Sequence, residues 1–144
     1  MKEKHLRAFM QTANTFAECS TATRAKVGAI LVKDDRIISI GYNGMPSGWD
    51  NTCENIIGYT NAEPVLKTKP EVLHAEANAL AKVARSSESS EGSMLFVTYS
   101  PCLECAKLIY QSGIKKVYYG KQYRDDSGLE FLSRCDIEVE QLDV

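Results

Sequence analysis

His74-Ala75-Glu76 and the later run Pro101-Cys102-Leu103-Glu104-Cys105 are the residues of this chain with the clearest chemistry. Read together they spell H-x-E…P-C-x-x-C. One imidazole and two thiolates make three ligands for a single zinc ion, which takes four. The fourth position is then free for water, and a bound zinc brings that water's pKa from about 15.7 down to roughly 7. Glu76, two residues from the ligand His74, is suited to carrying protons to and from such a water. Two blander readings use the same residues. One is a buried Cys pair in a core helix beside a surface His and Glu. The other is a structural zinc closed by a further Cys. Closed sites carry four protein ligands, commonly two C-x-x-C pairs. Here the second half is one His followed by a carboxylate, which favours the open, catalytic site.

The elements that must hold these groups are legible around them. Residues 70 to 85 (PEVLHAEANALAKVAR) are rich in good helix formers. Leu73, Glu76, Leu80 and Val83 are spaced to share one helical face, which puts Glu76 on the apolar stripe. A carboxylate there is unfavourable unless it is paired or used. Pro101 suits a helix start, and residues 103 to 111 (LECAKLIYQ) read as helix until Ser112-Gly113. Cys102, Cys105, Ala106 and Ile109 fall on one face, with both thiols near the helix N-terminus, where the dipole favours thiolate.

Elsewhere, residues 2 to 18 carry apolar positions at helical spacing. Runs 27 to 32 and 36 to 42 are rich in β-branched residues and are joined by Lys33-Asp34-Asp35, which predicts a hairpin. Residues 94 to 99 (MLFVTY) predict a strand leading straight into Pro101, and 116 to 120 a strand after the second motif helix. That strand–helix–strand order implies a parallel, right-handed crossover. A last helix near 127 to 133 and an alternating strand at 137 to 140 follow. The expected fold is α/β: one domain over residues 1–144, with a mixed sheet of about five strands and helices on both faces. Residues 86 to 93 (SSESSEGS) read as a polar loop. Residues 43 to 69 read as a long irregular segment, and loops of that length are usually functional or disordered. Trp49, Ile56, Ile57 and Tyr59 argue for order.

With 144 residues, 44% of them hydrophobic, there is material for one core. The formal net charge of −2 counts against a surface that grips polynucleotide through many phosphates. The densest basic cluster (Lys115, Lys116, Lys121, Arg124) runs directly into Asp125 and Asp126. No stretch approaches the roughly 20 apolar residues of a membrane span, and the charged N-terminus lacks the apolar core of a signal peptide. A cytoplasmic location is expected. Five cysteines, two of them committed to metal, do not resemble a disulfide framework. Cys135 reads as a small core residue, and Cys19 with Cys53 leaves room for a second metal.

Further residues carry a resemblance. Cys19-Ser20, Arg24, Val27-Gly28-Ala29, the run Gly41-Tyr42-Asn43-Gly44-Met45-Pro46-Ser47-Gly48, His74 to Ala79 and Pro101 to Lys107 resemble the deoxycytidylate (dCMP) deaminases of the cytidine deaminase superfamily, over about residues 5 to 140. The zinc motif is shared across that superfamily; the G-Y-N-G-x-P-x-G run narrows the resemblance. It implies a cytidine-deaminase-like three-layer α/β/α fold that hydrolyses dCMP to dUMP and ammonia, upstream of thymidylate synthesis. It implies His74, Cys102 and Cys105 as zinc ligands and Glu76 as the proton shuttle. Asn43 would meet the sugar hydroxyl, the backbone at Ala75 and Ser100 the base edge, and Tyr99 and Tyr123 the base or sugar. Arg24 and Lys26 would meet the 5′-phosphate. A homo-hexamer is implied, activated by dCTP and inhibited by dTTP. The triphosphate, with Mg2+, would lie against Gly41, Tyr42, Asn43 and Gly44, with Arg85 as a further effector residue. One departure is that the stretch between Gly48 and His74 is shorter than in many members and carries no His. The competing readings are a deaminase of free cytidine or deoxycytidine, a polynucleotide deaminase, and a non-enzymatic regulatory module stabilised by zinc. No membrane or stable nucleic-acid partner is expected.

Overall fold

A computed structural model describes residues 1–144. Helix α1 spans Glu3–Ala17, and strands β1 (Gly28–Lys33) and β2 (Arg36–Tyr42) follow. Next come β3 (Glu54–Thr60), β4 (Glu63–Thr68), α2 (Ala75–Ala84) and β5 (Met94–Tyr99). The chain finishes with α3 (Leu103–Gln111), β6 (Lys116–Lys121), α4 (Ser127–Arg134) and β7 (Glu138–Gln141). No helix is long and apolar enough to cross a membrane.

Five strands form one mixed sheet in the order β2-β1-β5-β6-β7. β1 runs antiparallel to both β2 and β5, whereas β5–β6 and β6–β7 are parallel. The expected parallel crossover through α3 and the mixed five-strand sheet are both present. The β1–β2 turn puts Asp34 at φ 51° and Asp35 at φ 59°, the both-positive geometry that matches the twist of a tight hairpin.

The strands alternate their side chains between two cores. Met10 and Ala13 of α1 pack with Ile30, Val32, Phe96 and Tyr118 on one face. On the other, Ala75, Ala79 and Val83 of α2, Ala106 and Ile109 of α3 and Leu132 of α4 meet Ala29, Leu31, Leu95, Val97 and Val117. Central strand β1 therefore reads as an apolar run, buried from Gly28 to Val32. The result is three layers, helix–sheet–helices.

Two expectations are corrected. Residues 43 to 69 are not irregular throughout, because β3 and β4 form a separate two-stranded hairpin. It escapes pattern reading because it has almost no buried face, its register shifts between Ile56 and Gly58, and it carries Gly58 and Pro64 inside its strands. The first motif helix also starts later than Pro70. Leu73 N–H donates to the Gly44 carbonyl at 2.8 Å and Gly44 N–H to the Leu73 carbonyl at 3.1 Å. This bridge holds Leu73 extended and exposed, off the helical face it was expected to share.

Candidate metal centre and substrate cavity

The Gly44–Leu73 bridge fixes where the chain turns into α2, and His74 becomes its N-cap in an extended conformation. Cys102 is likewise the extended N-cap of α3, not a helical residue, and Cys105 lies in that helix's first turn. Neither N-cap side chain makes a capping hydrogen bond to its own helix. The sheet brings the two helix starts together. His74 Nδ1 lies 3.5 Å from Cys102 Sγ and 3.4 Å from Cys105 Sγ. A tetrahedral zinc with Zn–N near 2.0–2.1 Å and Zn–S near 2.3 Å sets such N···S pairs about 3.6 Å apart. The donor set and its spacing fit zinc. It is the one group of three or more His, Cys, Asp or Glu side chains in the structure arranged to hold a metal. Cys19 and Cys53 belong to no such group; Cys53 is buried and Cys19 exposed.

Electrostatics follow from this crowding. Hydrogen bonds from Cys105 and then His74 hold the Cys102 thiol down at about 4. The neighbouring Cys102 sulfur, together with burial, pushes Cys105 up. A hydrogen bond to Cys102 raises His74. Glu76 is 5% exposed, and burial, the largest cause, lifts its carboxyl to about 7.

His74, Glu76 and Cys102 line a cavity of about 790 Å³, in the range of small-molecule sites. Ala75, Tyr99, Ser100 and Tyr123 line it as well. The Tyr99 and Tyr123 rings stack at 4.8 Å with 17° between planes. Ser100 Oγ fixes that wall by accepting from Tyr123 N–H at 2.9 Å. Burial, then the nearby Glu76, raises the Tyr123 hydroxyl to about 12. Asn43 lines the cavity too, but most of its amide is engaged by the chain itself. Its Oδ1 accepts from Val27 N–H at 2.9 Å and its Nδ2 donates to Ala25 O at 2.8 Å.

Arg24 lines the cavity, whereas Lys26 is exposed and does not. Gly41, Tyr42, Gly44 and Arg85 are not part of the lining either. The glycine at 41 is explained by packing. A Cβ there would fall on Ala75 O and 2.6 Å from Ala79 N, so the close backbone approach is made by α2. Arg124, whose basic cluster left phosphate contact open beside a solvated face, also lines the cavity, with Asp125 after β6 and Glu54 and Thr68 from the hairpin. Arg124 had one signal, its place beside Tyr123 in a basic cluster. Glu54 and Thr68 had none.

Sheet, helix starts and ligand triad together define an α/β domain with a candidate zinc site. A family model, the cytidine and deoxycytidylate deaminase zinc-binding region, matches residues 3–121, and the chain belongs to that family. It is similar to the dCMP deaminase of cyanophage S-TIM5, whose structure in complex with dCMP and dUMP superposes with a TM-score of 0.88. Identity to it is 46%, over 99% of each chain. The deoxycytidylate deaminase of Enterobacteria phage T4 is 35% identical over 147 residues, 79% of this chain and 76% of that protein. The human deoxycytidylate deaminase is 39% identical over 128 residues, 83% of this chain and 66% of that protein.

Proposed function

We propose that this chain, acting as one catalytic domain, is a dCMP deaminase that hydrolyses dCMP to dUMP and ammonia in pyrimidine deoxynucleotide synthesis. The observation that carries this reading is the placement of buried Glu76 beside the His74–Cys102–Cys105 triad, in a cavity bordered by two arginines. His74, Cys102 and Cys105 would hold zinc, which supplies the Lewis acidity that makes water nucleophilic near neutral pH. Glu76 takes the proton from the attacking water as its oxygen adds to C4 of cytosine. It hands that proton to N3, then takes the proton of the new C4 hydroxyl and passes it to the amino group; the C4–N bond breaks, the C4 carbonyl forms, and ammonia leaves where water has entered. A carboxyl near 7 can both accept and release a proton at physiological pH. The Tyr99–Tyr123 wall packs against the base and sugar, and the backbone at Ala75 and Ser100 borders the base edge. Asn43 holds the Ala25–Val27 segment while its remaining N–H meets a sugar hydroxyl. Arg24 and Arg124 meet the 5′-phosphate; Lys26, outside the lining, adds only positive potential.

The resemblance over Gly41–Gly48 supports a regulated homo-hexamer, activated by dCTP and inhibited by dTTP with Mg2+ on the triphosphate. Tyr42 and Arg85 are exposed and a Cβ on Gly44 would meet nothing within 4 Å, so a ligand can reach them.

The test is turnover of dCMP, deoxycytidine and cytosine within an oligonucleotide, with zinc content measured on the same sample and each triphosphate added in turn. Charge-assisted contacts to the phosphate predict that kcat/KM for deoxycytidine falls below that for dCMP by about 2–4 kcal/mol. Parity would make the enzyme a nucleoside deaminase. Reaction with the oligonucleotide alone would make it a polynucleotide deaminase.

A further inference from the structure

Glu54 opens β3 and is 9% exposed. One of its oxygens, Oε2, accepts two backbone N–H bonds, from Thr23 at 2.8 Å and from Arg24 at 3.0 Å. Directly across the hairpin register lies Thr68, whose Oγ1 accepts from Arg24 Nη1 at 3.2 Å. The open end of the hairpin therefore grips Arg24 twice, by its backbone and by its guanidinium. Arg24, Glu54 and Thr68 all line the cavity that contains Glu76.

A carboxylate beside a phosphate-binding arginine repels the phosphate unless something else requires it. Here the requirement is geometric. Arg24 is exposed, on the segment between α1 and β1, and carries a long side chain with many rotamers. Freezing such a side chain on binding weakens affinity, and preorganisation removes that penalty. A buried carboxylate oxygen holding two adjacent N–H groups is a strong brace, since hydrogen bonds to an ionised acceptor are shorter and stronger than neutral ones.

We propose that Glu54 is a positioning residue for nucleotide recognition: through the Thr23 and Arg24 backbone it presents Arg24 to the 5′-phosphate and so sets the preference for nucleotide over nucleoside. This proposal rests on the dCMP reading above. It also gives the β3–β4 hairpin a task, because its open end is part of the specificity apparatus.

The readout is the ratio of kcat/KM for dCMP to that for deoxycytidine, measured on one preparation, so a loss of folded protein cancels. Glu54→Ala lowers this ratio at least tenfold, chiefly through KM for dCMP. Glu54→Gln retains an accepting oxygen and restores the ratio to within about threefold of wild type. In an Arg24→Ala background, Glu54→Ala changes the ratio less than twofold, because the two act as one unit. A ratio unmoved by Glu54→Ala would reduce Glu54 to scaffold and overturn the proposal. A loss that adds fully to that of Arg24→Ala would mean direct contact with the nucleotide, and would overturn it too. A wild-type ratio near one is a distinct result: it sinks the dCMP reading and the proposal with it.

Discussion

In the proposed deamination Glu76 concentrates the proton chemistry in one carboxyl. Its burial at the start of α2 serves no packing purpose that an apolar residue would not serve better. Glu76→Gln keeps the shape and removes the proton carrier, and kcat for dCMP should fall by about 10²–10⁴-fold or more. Zinc content should stay at one per chain, measured by atomic absorption. Cys105→Ala, by contrast, should abolish both zinc binding and turnover, because it removes a ligand that is 4% exposed. Chelation of the wild type should give the same inactive protein, with activity returning when zinc is added back. Equal ammonia release by Glu76→Gln and wild type would instead favour a zinc-stabilised module without catalysis.

At the scale of elements, the site depends on how the starts of α2 and α3 are held against each other. α4 contributes no catalytic group, yet its Gly128 packs against the turn that carries Cys102. A Cβ at Gly128 would fall on Pro101 O and lie 2.9 Å from the Cys102 carbonyl carbon. Gly128→Ala should therefore displace the Pro101–Cys102 turn, weakening zinc affinity and lowering kcat at least tenfold. A competitive chelator titration would read the affinity directly. Among these elements, α1, β1, β2, β5, α3, β6, α4 and β7 were legible to within one residue, because their apolar residues recur at helical or strand spacing. The start of α2 was misread because its alternative is long-range. Nothing near Leu73 announces two hydrogen bonds to Gly44, far back along the chain. Cys102 was placed on a helical face for a similar reason: an N-cap looks helical in spacing while its backbone is extended.

The whole molecule divides into a doubly covered sheet and a projecting hairpin. β1 and β5 lie at its centre with layers on both faces, whereas β3 and β4 pair only with each other. Isolated two-stranded hairpins are marginal in water. Amide hydrogen exchange should therefore be fastest in the hairpin beyond Glu54 and Thr68, and slowest in β1 and β5, which open only with global unfolding. Leu31→Ala, a fully buried truncation between α2 and the sheet, should destabilise the protein by about 2–5 kcal/mol in urea unfolding. The same division explains what the sequence by itself determined. The H-x-E and P-C-x-x-C spacings singled out the His74–Cys102–Cys105 group that the fold brings together and the neighbouring Glu76, and the amphipathic runs gave the main sheet, because short-range periodicity records which side of an element is buried. Tertiary structure alone decided that Asn43 is largely occupied by Ala25 and Val27, and that Arg124, Glu54 and Thr68 share the cavity with Glu76. Those groups come together through contacts between distant segments and through a hairpin whose apolar side chains Ile56, Ile57, Tyr59 and Val65 stay exposed, and neither leaves a local pattern to read.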